Sequence, residues 1–210
     1  MSRRYVQEHV KLLYKNSAGV GMSYSDVRKI YIEELLLPLI KKGYRGEEIA
    51  EIFGLKPYAG TNTISKWCKE LFNDKTMHIT KARKVFLPQV IRGLIRRGYL
   101  TYEDIASQFE APSISARAVE YYIFQVMKTS ITEAKVKIYK RFNAIRLLKE
   151  GIDSRTEILL KLGVAKSTAE KSGRREWAYI FDGISFEDVR MQIKTGYIGG
   201  ISISEWLSEI

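Results

Sequence analysis

Residues 158–169 read ILLKLGVAKSTA, and this stretch decides how the chain folds. Ile158 and Leu162 stand four positions apart and so share one face of a helix. Gly163 follows as a residue that can adopt the left-handed conformation in which helices end. The polar run beginning at Lys166 then opens another helix. The stretch therefore predicts two short helices joined by a tight turn.

The same organisation recurs twice on the N-terminal side of this stretch. A glycine follows a basic helix end at Gly43, Gly98 and Gly151, at intervals of 55 and 53 residues. A lysine precedes each glycine by fourteen residues and an aromatic residue by twelve: Lys29, Lys84 and Lys137, and Tyr31, Phe86 and Tyr139. Each block is therefore predicted to open with an amphipathic helix that a glycine terminates.

Each glycine is followed by two more predicted helices. The second helix carries acidic residues in its first turn, where a helix N-terminus favours negative charge. The third helix of each block carries an apolar stripe at helical spacing. The turn before this helix is expected to be three or four residues longer in the first and second blocks than in the third block, with the added residues around 56–60 and 110–113. The stripes are Ile64, Trp67, Cys68 and Leu71; Val119, Tyr122, Ile123 and Val126; and Ala169, Gly173, Trp177 and Ile180.

We expect an all-α protein of three tandem helix-turn-helix (three-helix) units with short linkers and small N- and C-terminal appendages. The predicted segments are an N-terminal helix and loop at 1–24, units at 25–75, 80–129 and 134–181, and an acidic appendage at 182–210. A capped helix start at 185–188 and a repeat of the Gly43 region near Gly196 indicate a degenerate fourth unit or a cap on the third unit. The acidic charge of the appendage indicates, as the alternative, a segment that binds a partner or forms a dimer.

The third block resembles the core I-A-x-x-L-G-V-S-x-S-T-V of bacterial and phage helix-turn-helix regulators and of resolvase-type DNA-binding domains. The matching residues are 158–169, and ten positions separate Leu159 from Ala169, as in that family. The resemblance implies double-stranded DNA as partner, with the helix after the turn placed in the major groove. Three engaged units would span about 30 base pairs.

The composition agrees with a polyanionic partner. The 210 residues include 35 Lys and Arg against 24 Asp and Glu, a net charge of +11. Twelve cations and four acids lie within 135–175, the most basic stretch. A single cysteine excludes an intramolecular disulfide, and two separated histidines give no metal-ligand spacing. The longest apolar run, 35–40, is too short to cross a membrane, so we expect a cytoplasmic, nucleoid-associated protein.

The candidate DNA-binding residues are the polar residues on the third helix of each block. Glu170 is a further candidate for base contact, and the cations at the first-helix starts, including Arg83, are candidates for phosphate contact. Trp67, Trp177 and Cys68 fall on apolar stripes and are expected in the core. The site residues are Lys166, Ser167, Thr168, Lys171, Arg174 and Arg175 in unit 3; Ser115, Arg117 and Tyr121 in unit 2; and Asn62, Thr63, Lys66 and Lys69 in unit 1.

We expect no enzyme activity, cofactor or metal, because the chain contains neither a phosphate-binding glycine loop nor clustered carboxylates. Asp74 and Glu133 are the nearest candidates for a metal site and are expected to be solvated. The predicted function is sequence-specific DNA binding in transcription regulation, or in replication, partition or recombination of a mobile element. Two alternatives stay open: a helix-turn-helix protein-interaction scaffold, and an accessory subunit of a nuclease or recombinase.

Overall fold

The computed structural model describes residues 20–198 and 201–202, and this part of the chain is almost entirely helical. Its two short strands form a hairpin in which Tyr197–Ile198 (β1) pairs antiparallel with Ile201–Ser202 (β2). The all-α prediction is thus confirmed. The predicted N-terminal helix falls outside the described residues.

Twelve α-helices occupy the described chain, two of them extended by π-helical segments. The first block holds α1 (Tyr24–Lys41), α2 (Gly46–Ile52) and α3 (Pro57–Leu71). The second holds α4 (Ile79–Arg96), α5 (Tyr102–Ala106) and α6 (Ala116–Tyr121), which continues as a π-helical segment (Tyr122–Val126). The remainder are α7 (Ile131–Ala134), a π-helical segment (Lys135–Lys140), α8 (Arg141–Lys149), α9 (Arg155–Lys161), α10 (Lys166–Lys171), α11 (Gly173–Ile180) and α12 (Phe186–Thr195).

The three predicted glycine stops are confirmed. Gly43, Gly98 and Gly151 have φ of +93°, +100° and +92°, the left-handed region that glycine reaches without a side-chain penalty. Each glycine N–H donates to the carbonyl three residues earlier, and the next N–H donates to the carbonyl five residues earlier. This pair of bonds satisfies the last carbonyls of the helix and fixes where it ends.

The contacts divide the chain into two compact units. Unit 1 runs to Pro88 and includes Phe109–Ala118, and unit 2 comprises Gln89–Gln108 and the chain from Val119 onwards. The divisions fall inside α4 and inside α6. The contacts therefore group the chain differently from the boundaries expected at 80–129, because the second block contributes to both units.

Unit 1 has a continuous apolar core to which four helices contribute. Its buried members are Ile32, Leu36 and Ile40 of α1, Ile49 and Ala50 of α2, Ile64 and Cys68 of α3, and Ile79 and Ala82 of α4. Trp67 is half-buried and meets Phe53 edge to face, with ring centroids 5.3 Å apart. The predicted stripe of α3 thus faces this core, and Trp67 belongs to it.

The expected insertion at 56–60 is wrong for the turn between α2 and α3. Pro57 is the first residue of α3, where its missing N–H costs nothing, so the turn contains only four residues, 53–56. Gly60 lies inside α3 because a Cβ there would overlap the Cβ of Ala50. The Pro-x-x-Gly composition reflects a helix start followed by close helix packing, not a longer turn.

The turn of the second block is long, as expected, with nine residues, 107–115, between α5 and α6. Its residues from Phe109 onwards belong to unit 1, where Ser113 donates to Glu48 at 2.9 Å and Lys42 pairs with Glu110 at 2.9 Å. The Glu110 carboxylate raises the pKa of Lys42 by hydrogen bonding and by its charge. Arg83 donates to the Gly43 carbonyl at 2.9 Å, so this guanidinium has a structural bond rather than the expected free position for phosphate.

The second core lies in unit 2 and contains the third block. Ala169, Gly173, Trp177 and Ile180 are all buried, as the stripe predicts. The single third helix expected there is wrong, since the chain breaks at Ser172 (φ −123°, ψ 15°) into α10 and α11. The core also takes in Phe186 and Val189 of α12, so it extends beyond the boundary expected at 181.

Candidate nucleic-acid interface

The turn between α9 and α10 joins two short helices through well-defined backbone hydrogen bonds. Ser154 caps α9 by accepting from the Glu157 N–H at 3.3 Å. Gly163 has φ +78°, and the N–H groups of Gly163 and Val164 donate to the carbonyls of Leu160 and Leu159, each at 3.0 Å. These bonds leave four residues, 162–165, between the helices. The backbone bonds of this short turn therefore help to orient α10.

The helix α10 presents polar side chains over one buried anchor. Ala169 is 1% exposed, whereas Lys166, Ser167 and Lys171 are exposed and Thr168 is half-buried. Ser167 and Lys171 stand four residues apart and therefore share a side of the helix. Lys166 keeps 79% of its side chain exposed, and its contact with Glu170 is a loose 3.9 Å pair worth little in water. The polar side of α10 is thus open to a partner.

Helix α11 adds two exposed cations and one buried ring. Arg174 and Arg175 are exposed near its start. Trp177 is 1% exposed, stacks on Phe181 at 4.5 Å and meets Phe186 edge-on at 4.9 Å. The expectation that Trp177 is a core residue is confirmed, because its ring faces are covered by other rings. We call Lys166, Ser167, Lys171, Arg174 and Arg175 the α10–α11 polar set.

The turn between α2 and α3 in unit 1 has the same backbone bonds as the turn between α9 and α10. Gly54 (φ +65°) and Leu55 donate to the carbonyls of Glu51 and Ala50, each at 2.8 Å. Both turns have four residues, and α2 and α9 both have seven. Gly60 therefore occupies the place of Ala169, and the two blocks share one local design.

This correspondence changes which residues of α3 match those of α10 and α11. Asn62 now corresponds to Lys171, and Lys66 to Arg175. Asn62, Lys66 and Lys69 are exposed, while Thr63 is half-buried. Positions 57–59 take the places of 166–168 and were missed, because their composition was interpreted as a turn. Proline at a helix start was the sequence signal that could have found them.

The candidate residues of the second block do not share this arrangement. Ser115 accepts from the Ala118 N–H at 3.3 Å at the start of α6. Arg117 and Tyr121 are exposed, and Tyr121 meets Tyr122 edge-on at 5.6 Å. Ser115 and Arg117 belong to unit 1 and Tyr121 to unit 2. The helix before the nine-residue turn, α5, has only five residues. This block lacks the compact helix, turn and helix of the other two.

The residues considered for catalysis or metal binding are engaged in local contacts. Asp74 accepts from the Thr76 N–H and hydroxyl at 2.7 Å, and these bonds hold the Asp74 pKa below its usual value. Glu133 pairs with Lys137 at 2.6 Å, and the hydrogen bond from Lys137 lowers the Glu133 pKa. Burial raises the pKa of Cys68 to about 12. No group of three potential metal ligands occurs among the residues that the structure describes.

No protein-family model, curated protein or solved structure matches this chain. Within residues 20–198 and 201–202, no helix combines the length and the apolar character needed to cross a bilayer.

Proposed function

We propose that the protein binds double-stranded DNA sequence-specifically through a helix-turn-helix formed by α9 and α10. The observation that carries this proposal is the exposed polar side of α10 held behind a four-residue turn by a buried Ala169. The excess of cations, +11 over the whole chain, supports a polyanionic partner. Control of transcription, or replication, partition or recombination of a mobile element, is the expected setting.

In this proposal α10 contacts the bases in the major groove and α11 contacts the DNA backbone. At 1.5 Å per residue, the six residues of α10 span about 9 Å, which suits a major groove about 12 Å wide. Lys166, Ser167 and Lys171 would face base edges and neighbouring phosphates. Arg174 and Arg175 begin a new helix after the bend at Ser172, and in this proposal they contact the DNA backbone.

The α2–α3 pair is proposed as a second, weaker DNA-binding unit. It shares the turn of α9–α10, and Asn62 and Lys66 are exposed at the positions of Lys171 and Arg175. An amide replaces an ammonium at the first of these positions, so this pair contributes less phosphate attraction. Amide side chains can still read adenine, which keeps unit 1 a candidate for specificity.

The test begins with selection of bound sites from random duplexes and continues with binding to the selected site by fluorescence anisotropy. We expect Lys171→Ala with Arg174→Ala to weaken binding by about a hundredfold, at 1–3 kcal/mol for each lost contact. Arg146→Ala with Lys149→Ala removes the same charge from exposed positions of α8 and is the matched control. Equal losses in both double variants would reduce the interaction to general charge attraction. Unchanged binding in the first would remove α10–α11 from the interface.

A second candidate function is protein interaction through the helix that continues α6. Tyr121, the last residue of α6, and Phe124 in the π-helical segment are 45% and 60% exposed, so both rings are available to a partner protein. Phe124→Ser should abolish association with a partner and leave DNA affinity intact. Loss of DNA binding in Phe124→Ser with retained folding would assign Phe124 to the DNA interface instead.

A further inference from the structure

A cationic cleft lies in unit 2, and none of the residues assigned to DNA recognition lines it. It has a volume of about 390 Å³ and is lined by the loop at 127–129, the π-helical segment Lys135–Lys140 and parts of α4 and α7. Four cations and two carboxylates line it: Arg92, Lys128, Lys137, Arg141, Glu133 and Asp182. Positive charge is therefore in excess within an open cleft of ligand size.

Two of these cations are already neutralised by the two carboxylates. Lys137 pairs with Glu133 at 2.6 Å, and the buried Arg141 pairs with Asp182 at 2.5 Å. Arg141 Nε also donates to the Ile180 carbonyl, which fixes this guanidinium to the end of α11. Both carboxylates are thus committed, and the excess charge of the cleft resides on Arg92 and Lys128.

Arg92 has the features of an anion ligand. Its Nε is buried and has no hydrogen-bond acceptor among the described residues, so a ligand oxygen in the cleft would satisfy this donor. A second arginine, Arg96, lies one turn further along α4. The Arg96 pKa is lowered by burial and by repulsion from the positive charge of Arg92. An anion bound in the cleft would offset the charge of Arg92 and accept the N–H of its Nε.

Lys128 is held at the cleft by strained backbone. Its φ is +57°, which a residue with a side chain rarely adopts. The neighbouring N–H groups of Met127 and Thr129 donate to the carbonyls of Tyr122 and Ile123 at 2.8 and 3.2 Å. These bonds terminate the π-helical segment after α6 and hold the strained residue in place. A left-handed residue directly after a helix end is common in proteins, so this backbone fixes where Lys128 stands and by itself indicates no ligand.

A recess of about 430 Å³ adjoins the cleft and shares Glu133, Lys137 and Asp182 with it. Tyr179 of α11, which is 61% exposed, and the buried Val136 line this recess. An exposed aromatic ring offers a stacking surface for a nucleobase. The cleft thus supplies cations for a phosphate, and the adjoining recess supplies a ring for a base.

We propose that this cleft binds a nucleotide, with Arg92 and Lys128 holding its phosphate and Tyr179 stacking on its base. The nucleotide is either free or part of a nucleic-acid strand, and both present the same phosphate and base. The site requires no contact with α10, so it goes beyond the DNA recognition proposed above.

The experiment is calorimetric titration of the full chain at low salt with three probes: pyrophosphate, dAMP and a single-stranded dA dodecamer. Arg92→Gln with Lys128→Asn is the test variant, since asparagine tolerates the left-handed backbone. We expect it to lose about tenfold or more in affinity for all three probes. Arg146→Gln with Lys149→Gln is the matched control and should lose little.

Further arms separate the halves of the site and the source of the ligand. Tyr179→Leu should weaken dAMP binding several-fold and leave pyrophosphate unchanged. If the dodecamer binds tenfold more tightly than dAMP and loses this advantage in the test variant, the ligand is a nucleic-acid strand. If the dodecamer binds equally or more weakly than dAMP, the ligand is a free nucleotide. If Arg92→Gln unfolds the protein, Lys128→Asn alone serves as the test variant for the same titrations, because it changes only an exposed side chain.

Two results would overturn the proposal: wild type that binds no probe, or equal losses in the test and control variants. Lys171→Ala with Arg174→Ala should leave pyrophosphate binding intact while weakening duplex binding. Failure of the duplex interaction alone would therefore refute the helix-turn-helix function and leave the cleft standing.

Discussion

The close packing of α2 on α3 gives a prediction with a definite sign. In an open helix, replacing glycine with alanine stabilises the fold by about 0.5–1 kcal/mol. At Gly60 the added Cβ would overlap the Ala50 Cβ and stand 3.0 Å from the Leu55 Cβ. Neither neighbouring atom can rotate away, since each is fixed by its own backbone. The two helices must separate, at a cost of about 1–3 kcal/mol.

We therefore expect Gly60→Ala to destabilise unit 1 by about 1–2 kcal/mol after the gain in helix propensity is subtracted. Gly93 is the matched control, because it lies within α4 and a Cβ there would meet nothing within 4 Å. Gly93→Ala should stabilise its surroundings by about 0.5–1 kcal/mol.

Native-state hydrogen exchange measures both effects locally. Amides of α2 and α3 should exchange faster in Gly60→Ala, and amides of α4 around residue 93 more slowly in Gly93→Ala. Adding Ala50→Gly to Gly60→Ala should recover part of the loss, because it removes the opposing Cβ. If both alanine variants gained stability equally, the close approach of α2 and α3 would be refuted.

Three further expectations follow from the described residues. If six to ten phosphates are engaged, duplex affinity should fall by roughly a thousandfold or more between 50 and 200 mM salt, and a flat salt response in anisotropy would contradict backbone contact. Cys68 has a pKa of about 12 and is fully buried, so a disulfide reagent at pH 8 should label it only after denaturation, and rapid labelling of native protein would place the thiol at the surface. Hydrogen bonds from Thr76 lower the Asp74 pKa, so the ionised Asp74 carboxylate stabilises the 72–78 connection. This stabilisation should be complete at pH values above the unfolded pKa of about 3.9 and should be lost as the pH falls through the folded pKa. Amide exchange of Thr76 measured against pH tests this, and Asp74→Asn should remove the dependence.

The helix ends could be predicted from sequence because their causes are local. Gly43, Gly98 and Gly151 stop helices through their own backbone freedom and two bonds to nearby carbonyls. The apolar stripes were equally predictable, since burial of one helix side requires only the right spacing. Ala169 and Trp177 are buried as that spacing requires.

The length of the α2–α3 turn depends on a tertiary contact and was therefore predicted wrongly. Pro57 and Gly60 are individually typical of turns, and only the proximity of Ala50 explains a glycine inside α3. The residue after the break at Ser172 is also a closely packed glycine. Gly173 approaches Leu159, where a Cβ would stand 3.3 Å from its Cδ1. No sequence pattern contains these distances.

The candidate sites differ in how far sequence could reveal them. The α10–α11 polar set lies within ten consecutive residues, so charge, motif and spacing could be seen together. The cationic cleft joins Arg92 to Lys128 and Asp182, which stand 36 and 90 positions further along the chain. Only the fold of unit 2 brings them to one place.

The two equivalent turns make it possible to compare the side chains of α3 and α10 on the same backbone arrangement. Since α2–α3 and α9–α10 share the turn length and the backbone bonds, the differences between them lie in their side chains. Counted from the start of each helix, Lys171 of α10 corresponds to Asn62 of α3, which lowers the charge at this exposed position. Asn62→Lys should therefore strengthen duplex binding and steepen its salt dependence by about one counterion if α3 meets DNA. An unchanged salt slope would make α2–α3 a structural copy that carries no DNA contact.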